Sequence, residues 1–220
     1  MLIQIQERDR ALRASIAASM DQAVSLAAAR DPSWIACRPG CTECCMGPFA
    51  ITWLDAWRLR EGLEQLAPER AAAVRARAAA YVTRIAAEYP GDAATGELED
   101  EDALPEAADA WPCPALDPQS GLCELYEARP VMCRTFGPVT RSGPESFAAC
   151  ELCYAGASAE QMAACAVEID PEGMETDLID AVGREGTTIV AYALASREGA
   201  VTAPEASWRA SGSSTRPGSA

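Results

Sequence analysis

Residues 37–45 read Cys37-Arg38-Pro39-Gly40-Cys41-Thr42-Glu43-Cys44-Cys45, and this stretch decides how the rest of the chain is read. Four thiols within nine residues repel one another as thiolates and oxidise readily unless disulfides or soft metal ions hold them. Outward from this knot come Cys113, Cys123, Cys133, Cys150, Cys153 and Cys165, which bring the total to ten cysteines, while histidine is absent. The opening residues Met1–Arg10 have charge after the apolar residues and no apolar run, so they do not read as a secretion signal. No segment approaches the roughly 18 apolar residues of a membrane span. A cytoplasmic, reducing location is expected, where clustered cysteines are more often metal ligands or catalytic thiols than structural disulfides. A chain of 220 residues also buries enough surface to need no disulfide staples.

Composition narrows the chemistry. The formal net charge is −15, and all 18 basic residues are arginine. Such a field repels polyanions, so neither nucleic acid nor an anionic membrane is an expected partner. Without histidine there is no Ser-His or Cys-His catalysis, no two-cysteine, two-histidine finger and no Rieske centre. Without lysine there is no Schiff-base chemistry on the protein.

The fold class predicted is mainly α with a small β-hairpin, its helices and loops stapled by a cysteine-ligated metal cluster. Residues 1–32 form an N-terminal segment whose helix, 4–30, carries Ile5, Leu12, Ile16, Met20 and Val24 at helical spacing. Residues 33–170 form the cysteine-cluster domain. Within it, Thr52-Trp53-Leu54-Asp55 is a capping-box variant opening a helix to about Leu66. Pro68 begins another, with Val74, Ala78, Tyr81, Val82, Ile85 and Tyr89 on one face. The acidic stretch 91–110 reads as a solvated connection without structure of its own. Asp117-Pro118-Gln119-Ser120-Gly121 is a turn signal, predicting a hairpin with Cys113 and Cys123 on its two arms. Pro130 begins a short helix bearing Cys133. Residues 158–168 are read as a helix carrying Cys165. Residues 171–201 form a C-terminal helical segment, with helix over 185–198 or a strand at Thr187–Val190. Residues 202–220 are a disordered tail.

Four cysteines in a tetrahedron are a standard zinc arrangement, with ligands drawn as C-x2-4-C pairs from two loops. Cys37-x3-Cys41 and Cys41-x2-Cys44 each fit one half, and Cys150-x2-Cys153 fits another. Adjacent side chains in an extended segment point opposite ways, so Cys44 and Cys45 are expected to serve different ions or two corners of one larger cluster. Iron–sulfur clusters accept the same sulfur sets, so zinc and iron both stay open as cofactors.

The order of these residues resembles the YkgJ-type cysteine-cluster family, described as zinc- or iron-chelating domains. Its pattern is a compact C-x2-3-C-x2-C-C knot, then C…C-x2-Y-x2-R-P-x2-C-R-x-F and a further cysteine. Here the knot is followed by Cys113, by Cys123-Glu124-Leu125-Tyr126-Glu127-Ala128-Arg129-Pro130-Val131-Met132-Cys133-Arg134-Thr135-Phe136, and by Cys150. The resemblance implies metal-ligand roles for Cys37, Cys41, Cys44, Cys45, Cys113, Cys123, Cys133 and Cys150. Cys153 is outside the pattern, and its spacing from Cys150 makes it a ninth candidate. Arg129 and Arg134 are expected to offset thiolate charge and donate to sulfur, Arg134 the more so because it adjoins Cys133. Tyr126 and Phe136 are expected to pack around the cluster. Cys165 reads as an ordinary buried thiol.

The function expected is a metal-binding protein with a structural or electron-handling site. One branch of the family is linked to lysine N-methylation of flagellin, so an S-adenosylmethionine-dependent protein lysine methyltransferase is the alternative. Two other readings are weaker. Cys37-x3-Cys41-x2-Cys44 matches the radical S-adenosylmethionine spacing, but Glu43 stands where an aromatic residue is usual. Cys150-x2-Cys153 lacks the βαβ setting of a thiol oxidoreductase.

Overall fold

The computed structural model describes residues 2–143, 145–147 and 149–195; the predicted tail 202–220 lies outside them. Helix α1 runs Leu2–Ala28, and a 3₁₀ turn at Pro32–Trp34 follows, capped by the Asp31 carboxylate accepting from the Ser33 amide at 2.9 Å. A second 3₁₀ turn, Glu43–Cys45, carries the end of the cysteine knot. Strand β1 (Ala50–Thr52) leads into α2 (Trp53–Glu64), whose first turn is capped by Thr52 Oγ1 accepting from the Asp55 amide at 3.1 Å. Helix α3 (Pro68–Ile85) is followed by the short strands β2 (Gly91–Asp92) and β3 (Glu97–Leu98). Then come α4 (Val131–Thr135), β4 (Thr140–Ser142), β5 (Glu145–Phe147), α5 (Ala159–Ala163), β6 (Val167–Glu168), α6 (Met174–Val182), β7 (Thr187–Ile189) and α7 (Val190–Ala195). The mainly α expectation holds at this level, with more strand than the sequence promised.

Two small sheets supply that strand. One is antiparallel in the order β1-β7-β3-β2, with Ile51 opposite Thr188 and Leu98 opposite Thr187. The other has the order β5-β4-β6, with β4 and β6 parallel. The acidic stretch therefore does have structure of its own. Gly91 and Leu98 pair across a tight hairpin, and Leu98 is buried. One apolar side chain paired to β7 was enough to order a segment whose charges suggested only solvent.

The helices pack where their apolar faces dictate. Ile5, Leu12 and Ile16 of α1 bury against Leu54, Trp57, Val131 and Leu178. Val74 and Ala78 of α3 meet Leu59, Leu63, Val190 and Leu194. Tyr81 and Ile85 meet Tyr89, Leu98, Ile189 and Tyr192 in a second cluster. A fourth groups Ala27, Trp34, Val139, Tyr154, Cys150, Cys153 and Cys165. The predicted helix over 158–168 is one and a half turns shorter at its end: α5 stops at Ala163, and fully buried Cys165 lies in the turn before β6. The choice left open at Thr187–Val190 resolves as strand followed by helix.

A buried ion cluster ties α1, α2 and α4 together. Arg58, 3% exposed, donates to Asp9 at 2.5 Å and to Asp55 at 2.6 Å, and the Val131 amide also donates to Asp55 at 3.2 Å. Asp55 thus does not reach back to complete the capping box; its carboxylate is committed to Arg58 and the start of α4.

Candidate metal centre

Two consecutive tight turns build the knot. The Cys41 amide donates to Arg38 O at 2.9 Å, and the Cys45 amide to Thr42 O at 2.8 Å. Gly40 sits at φ +86° within the first, a conformation a side chain would oppose. The distal cysteines come on three further pieces. Cys113 enters through its amide, which donates to Cys45 O at 2.7 Å, beside an isolated bridge between Met46 and Pro112. Cys123 bridges Leu116 across the turn at Asp117–Gly121, whose Asp117 carboxylate accepts from the Gln119 and Ser120 amides. The predicted hairpin is present in reduced form, and Cys113 pairs with the knot as well as opening that hairpin. Cys133 lies in α4. Cys150 and Cys153 form one turn, with the Cys153 amide donating to Cys150 O at 2.8 Å. That turn is anchored by the Cys150 amide on Gly137 O at 2.9 Å and by the Tyr154 amide on Trp34 O at 2.7 Å.

The nine candidate sulfurs separate into two neighbourhoods. Cys37 stands within hydrogen-bonding reach of Cys153, with Cys41 and Cys150 nearby. The strongest sulfur influences on Cys150 are again Cys153 and Cys41. In the second neighbourhood the Cys44 and Cys45 sulfurs are 4.0 Å apart. Cys113 and Cys123 act on Cys45, and Cys44, Cys113 and Cys123 act on Cys133. Adjacent Cys44 and Cys45 therefore fall in one neighbourhood, because the 3₁₀ turn folds side chains that an extended strand would have sent apart. All ten cysteines are free thiols. Among the described residues no three Cys, Asp or Glu side chains converge closely enough to hold a metal ion as they stand. Rotation about χ1 between staggered wells moves a cysteine sulfur without moving its backbone.

The donor set fits a soft ion in three respects. A tetrahedral zinc tetrathiolate with bonds of about 2.3 Å has sulfur–sulfur edges of about 3.8 Å, close to the 4.0 Å between Cys44 and Cys45. Both neighbourhoods contain four or more sulfurs, and the charge of Glu43 is felt at Cys44 in one and at Cys150 in the other. The Arg129 Nε is buried without a hydrogen-bond partner, and its charge favours the Cys44 thiolate and works against the burial that raises Cys123 and Cys133. A thiolate beside it would take that orphaned donor.

Without an ion most of these thiols are held neutral. Burial, then Cys153, pushes Cys37 up to about 12, and burial pushes Cys113 up to about 12. Burial also raises Cys123, Cys133 and Cys150. Cys44 alone moves down, to about 6, because the Cys45 thiol donates to it and Arg129 stands near. The same bond raises Cys45.

Arg129 and Arg134, both expected to serve the sulfurs, differ in what they touch. Arg129 faces the second neighbourhood, with its guanidinium 4.0 Å over the Tyr126 ring. Arg134 spends its donors on backbone carbonyls, Arg129 O at 3.1 Å, Tyr126 O at 3.4 Å and Glu127 O, closing the 3₁₀ turn Tyr126–Ala128. Adjacency to Cys133 in sequence did not place its guanidinium at sulfur, because the side chain folds back over the preceding turn. Tyr126 (55%) and Phe136 (45%) are exposed at the mouth of a cleft of about 440 Å³ lined by Cys37, Cys41, Cys44, Cys45, Cys123 and Cys133.

Gly137 was missed in the sequence. A Cβ on it would lie 2.8 Å from Cys37 Sγ, and its φ is +125°. Only a glycine permits both the approach and the backbone, and its place after Cys133-Arg134-Thr135-Phe136 was the available signal.

The family model "CxxCxxCC: Putative zinc- or iron-chelating domain" matches residues 36–154. The match begins one residue before Cys37 and ends one after Cys153, so it includes all nine candidate sulfurs and leaves out Cys165. No curated protein and no solved structure matches the chain.

Proposed function

This chain belongs to the CxxCxxCC family, and from that premise we propose a zinc- or iron-binding protein whose cysteines hold metal in a structural role. One observation carries the structural reading: the sulfurs come from separately packed pieces that converge on the knot. Cys113 and Cys123 lie against the cluster built on α2, α3 and α7, whereas Cys150 and Cys153 belong to the cluster around Trp34. A bound ion supplies a Lewis-acidic centre that binds thiolates across those pieces. Arg129 offsets thiolate charge and offers its free Nε to sulfur. Arg134 and Pro130 fix the turn that carries Cys133 into place. Structural zinc contributes on the order of 10 kcal/mol to folding in small domains, comparable to the whole stability of a typical protein. Clustered free thiols are in keeping with a reducing compartment, and the charge of −15 argues against nucleic acid as partner. Among the described residues no helix is long and apolar enough to cross a membrane.

A second reading, electron handling by iron, is favoured by the rim of the cleft. Leu122, Tyr126 and Phe136 line the cleft and are exposed, and Met46, Met132 and Leu152 are exposed next to candidate ligands in the sequence. Apolar side chains around a half-exposed metal are suited to a transient redox partner.

Anaerobic purification followed by measurement of zinc, iron and acid-labile sulfide tests both. Colourless protein carrying zinc supports the structural role. Brown protein with iron and sulfide in proportion supports electron handling. Folded protein that holds neither metal and takes up neither overturns the proposal.

A further inference from the structure

We propose that the cysteines form two separate metal centres, one of Cys37, Cys41, Cys150 and Cys153, the other drawn from Cys44, Cys45, Cys113, Cys123 and Cys133. The inference rests on the metal-binding reading above and adds the number of centres and the membership of each. The knot divides between Cys41 and Cys44, where one tight turn ends and the next begins. The first turn, closed by Cys41 N on Arg38 O, presents Cys37 and Cys41 to the turn closed by Cys153 N on Cys150 O. The second, closed by Cys45 N on Thr42 O, presents Cys44 and Cys45 to the piece closed by Leu116 N on Cys113 O. The first neighbourhood is thus one knot turn facing one distant turn, the two-loop construction that tetrahedral thiolate sites use, whereas the second knot turn faces both the Cys113–Cys123 piece and Cys133 of α4.

Packing separates the two distant turns. The Cys150–Cys153 turn is bound to Gly137 O and Trp34 O, and both cysteines are buried beside Trp34 and Tyr154. Gly137 also brings its backbone against Cys37 Sγ, which joins the knot's first turn to the same support. Cys113 and Cys123 rest on the cluster containing Ala115, Leu125 and Ala128. The two supports are different parts of the apolar core, so each set of sulfurs is carried by its own packing. Cys153 becomes a full member of the first centre, which has four sulfurs with it and three without. The second centre holds one sulfur more than a tetrahedron needs. Arg129 belongs to this second centre alone, so the two differ in charge and in accessible chemistry.

The test is native mass spectrometry of the anaerobic, zinc-loaded protein, with Cys150→Ser/Cys153→Ser and Cys113→Ser/Cys123→Ser as paired variants. The expected result is two zinc ions in the wild type and one in each double variant, with Cys165→Ala keeping two. One zinc in the wild type, or loss of both ions from a double variant that keeps its circular-dichroism spectrum, overturns the two-centre assignment while leaving metal binding intact. No zinc in the wild type strikes the parent reading instead. Should a double variant fail to fold, cadmium-113 NMR of the cadmium-loaded wild type decides. Two thiolate resonances support two centres, and one overturns them.

Discussion

Gly137→Ala is the sharpest single test of whether Cys37 is a ligand. The new methyl carbon would lie 2.8 Å from Cys37 Sγ, well inside the 3.5–4 Å at which nonbonded atoms attract. The backbone at φ +125° is strained for any residue with a Cβ, at about 1–3 kcal/mol. In metal-free protein Cys37 can swing to another rotamer, so strain is the whole cost. A chain of this length shifts its melting point by about 2–4 °C per kcal/mol, so the metal-free variant should melt about 2–12 °C lower. In the loaded protein Cys37 cannot swing and stay bound. If each of four ligands carries about a quarter of a structural zinc's roughly 10 kcal/mol, losing one adds about 2–3 kcal/mol and a further fall of about 4–12 °C. The carbonyl of Gly137 also holds the Cys150 amide, so a backbone shift disturbs a second member of the same centre. The assay is thermal unfolding by circular dichroism, anaerobic, with and without zinc, on both proteins. Equal falls in the two conditions would refute a metal-held Cys37.

Other outcomes follow from the same geometry. Arg58→Met leaves Asp9 and Asp55 buried around a missing cation, which costs about 3–5 kcal/mol and lowers the melting point by about 6–20 °C; a fall under 1 °C would show that the cluster contributes little. Burial raises Glu175 from its usual value to about 7, so native protein holds this proton more tightly than unfolded chain. Its contribution is then full below about pH 4.5 and lost as pH rises through about 7. Glu175→Gln should therefore gain over wild type at pH 8 and not at pH 4 in urea unfolding, and parallel profiles would refute the sign. Arg129→Met should weaken zinc binding by roughly 10–100-fold in a chelator competition, with Arg134→Met near wild type; the reverse order would return the role to Arg134.

Element type was legible wherever a local signal was strong. Ile5, Leu12 and Ile16 marked a helical face that is buried, and Thr52 and Pro68 marked helix starts that the structure keeps. The short elements were illegible because partners far along the chain create them. Residues Gly91–Leu98 become a hairpin through the pairing of Leu98 with Thr187. Cys165 sits in a turn because Val167 is claimed by Thr140. The buried Arg58 was unreadable for the same reason, since its partner Asp9 is 49 residues away.

By itself the sequence determined the chemistry: cysteine order, the empty histidine column and the charge of −15 exclude most catalytic designs and point to soft-metal ligation. These are properties of residue type, which folding does not change. Tertiary structure alone decided the partition. It set Cys44 beside Cys45 through a 3₁₀ turn, drew Cys37 to Cys153 across more than a hundred residues, and turned Arg134 to backbone carbonyls while Arg129 stands near Cys44. Spacing along a chain states which ligands exist. Which of them meet depends on the supports that carry them, and here those are two different parts of the apolar core.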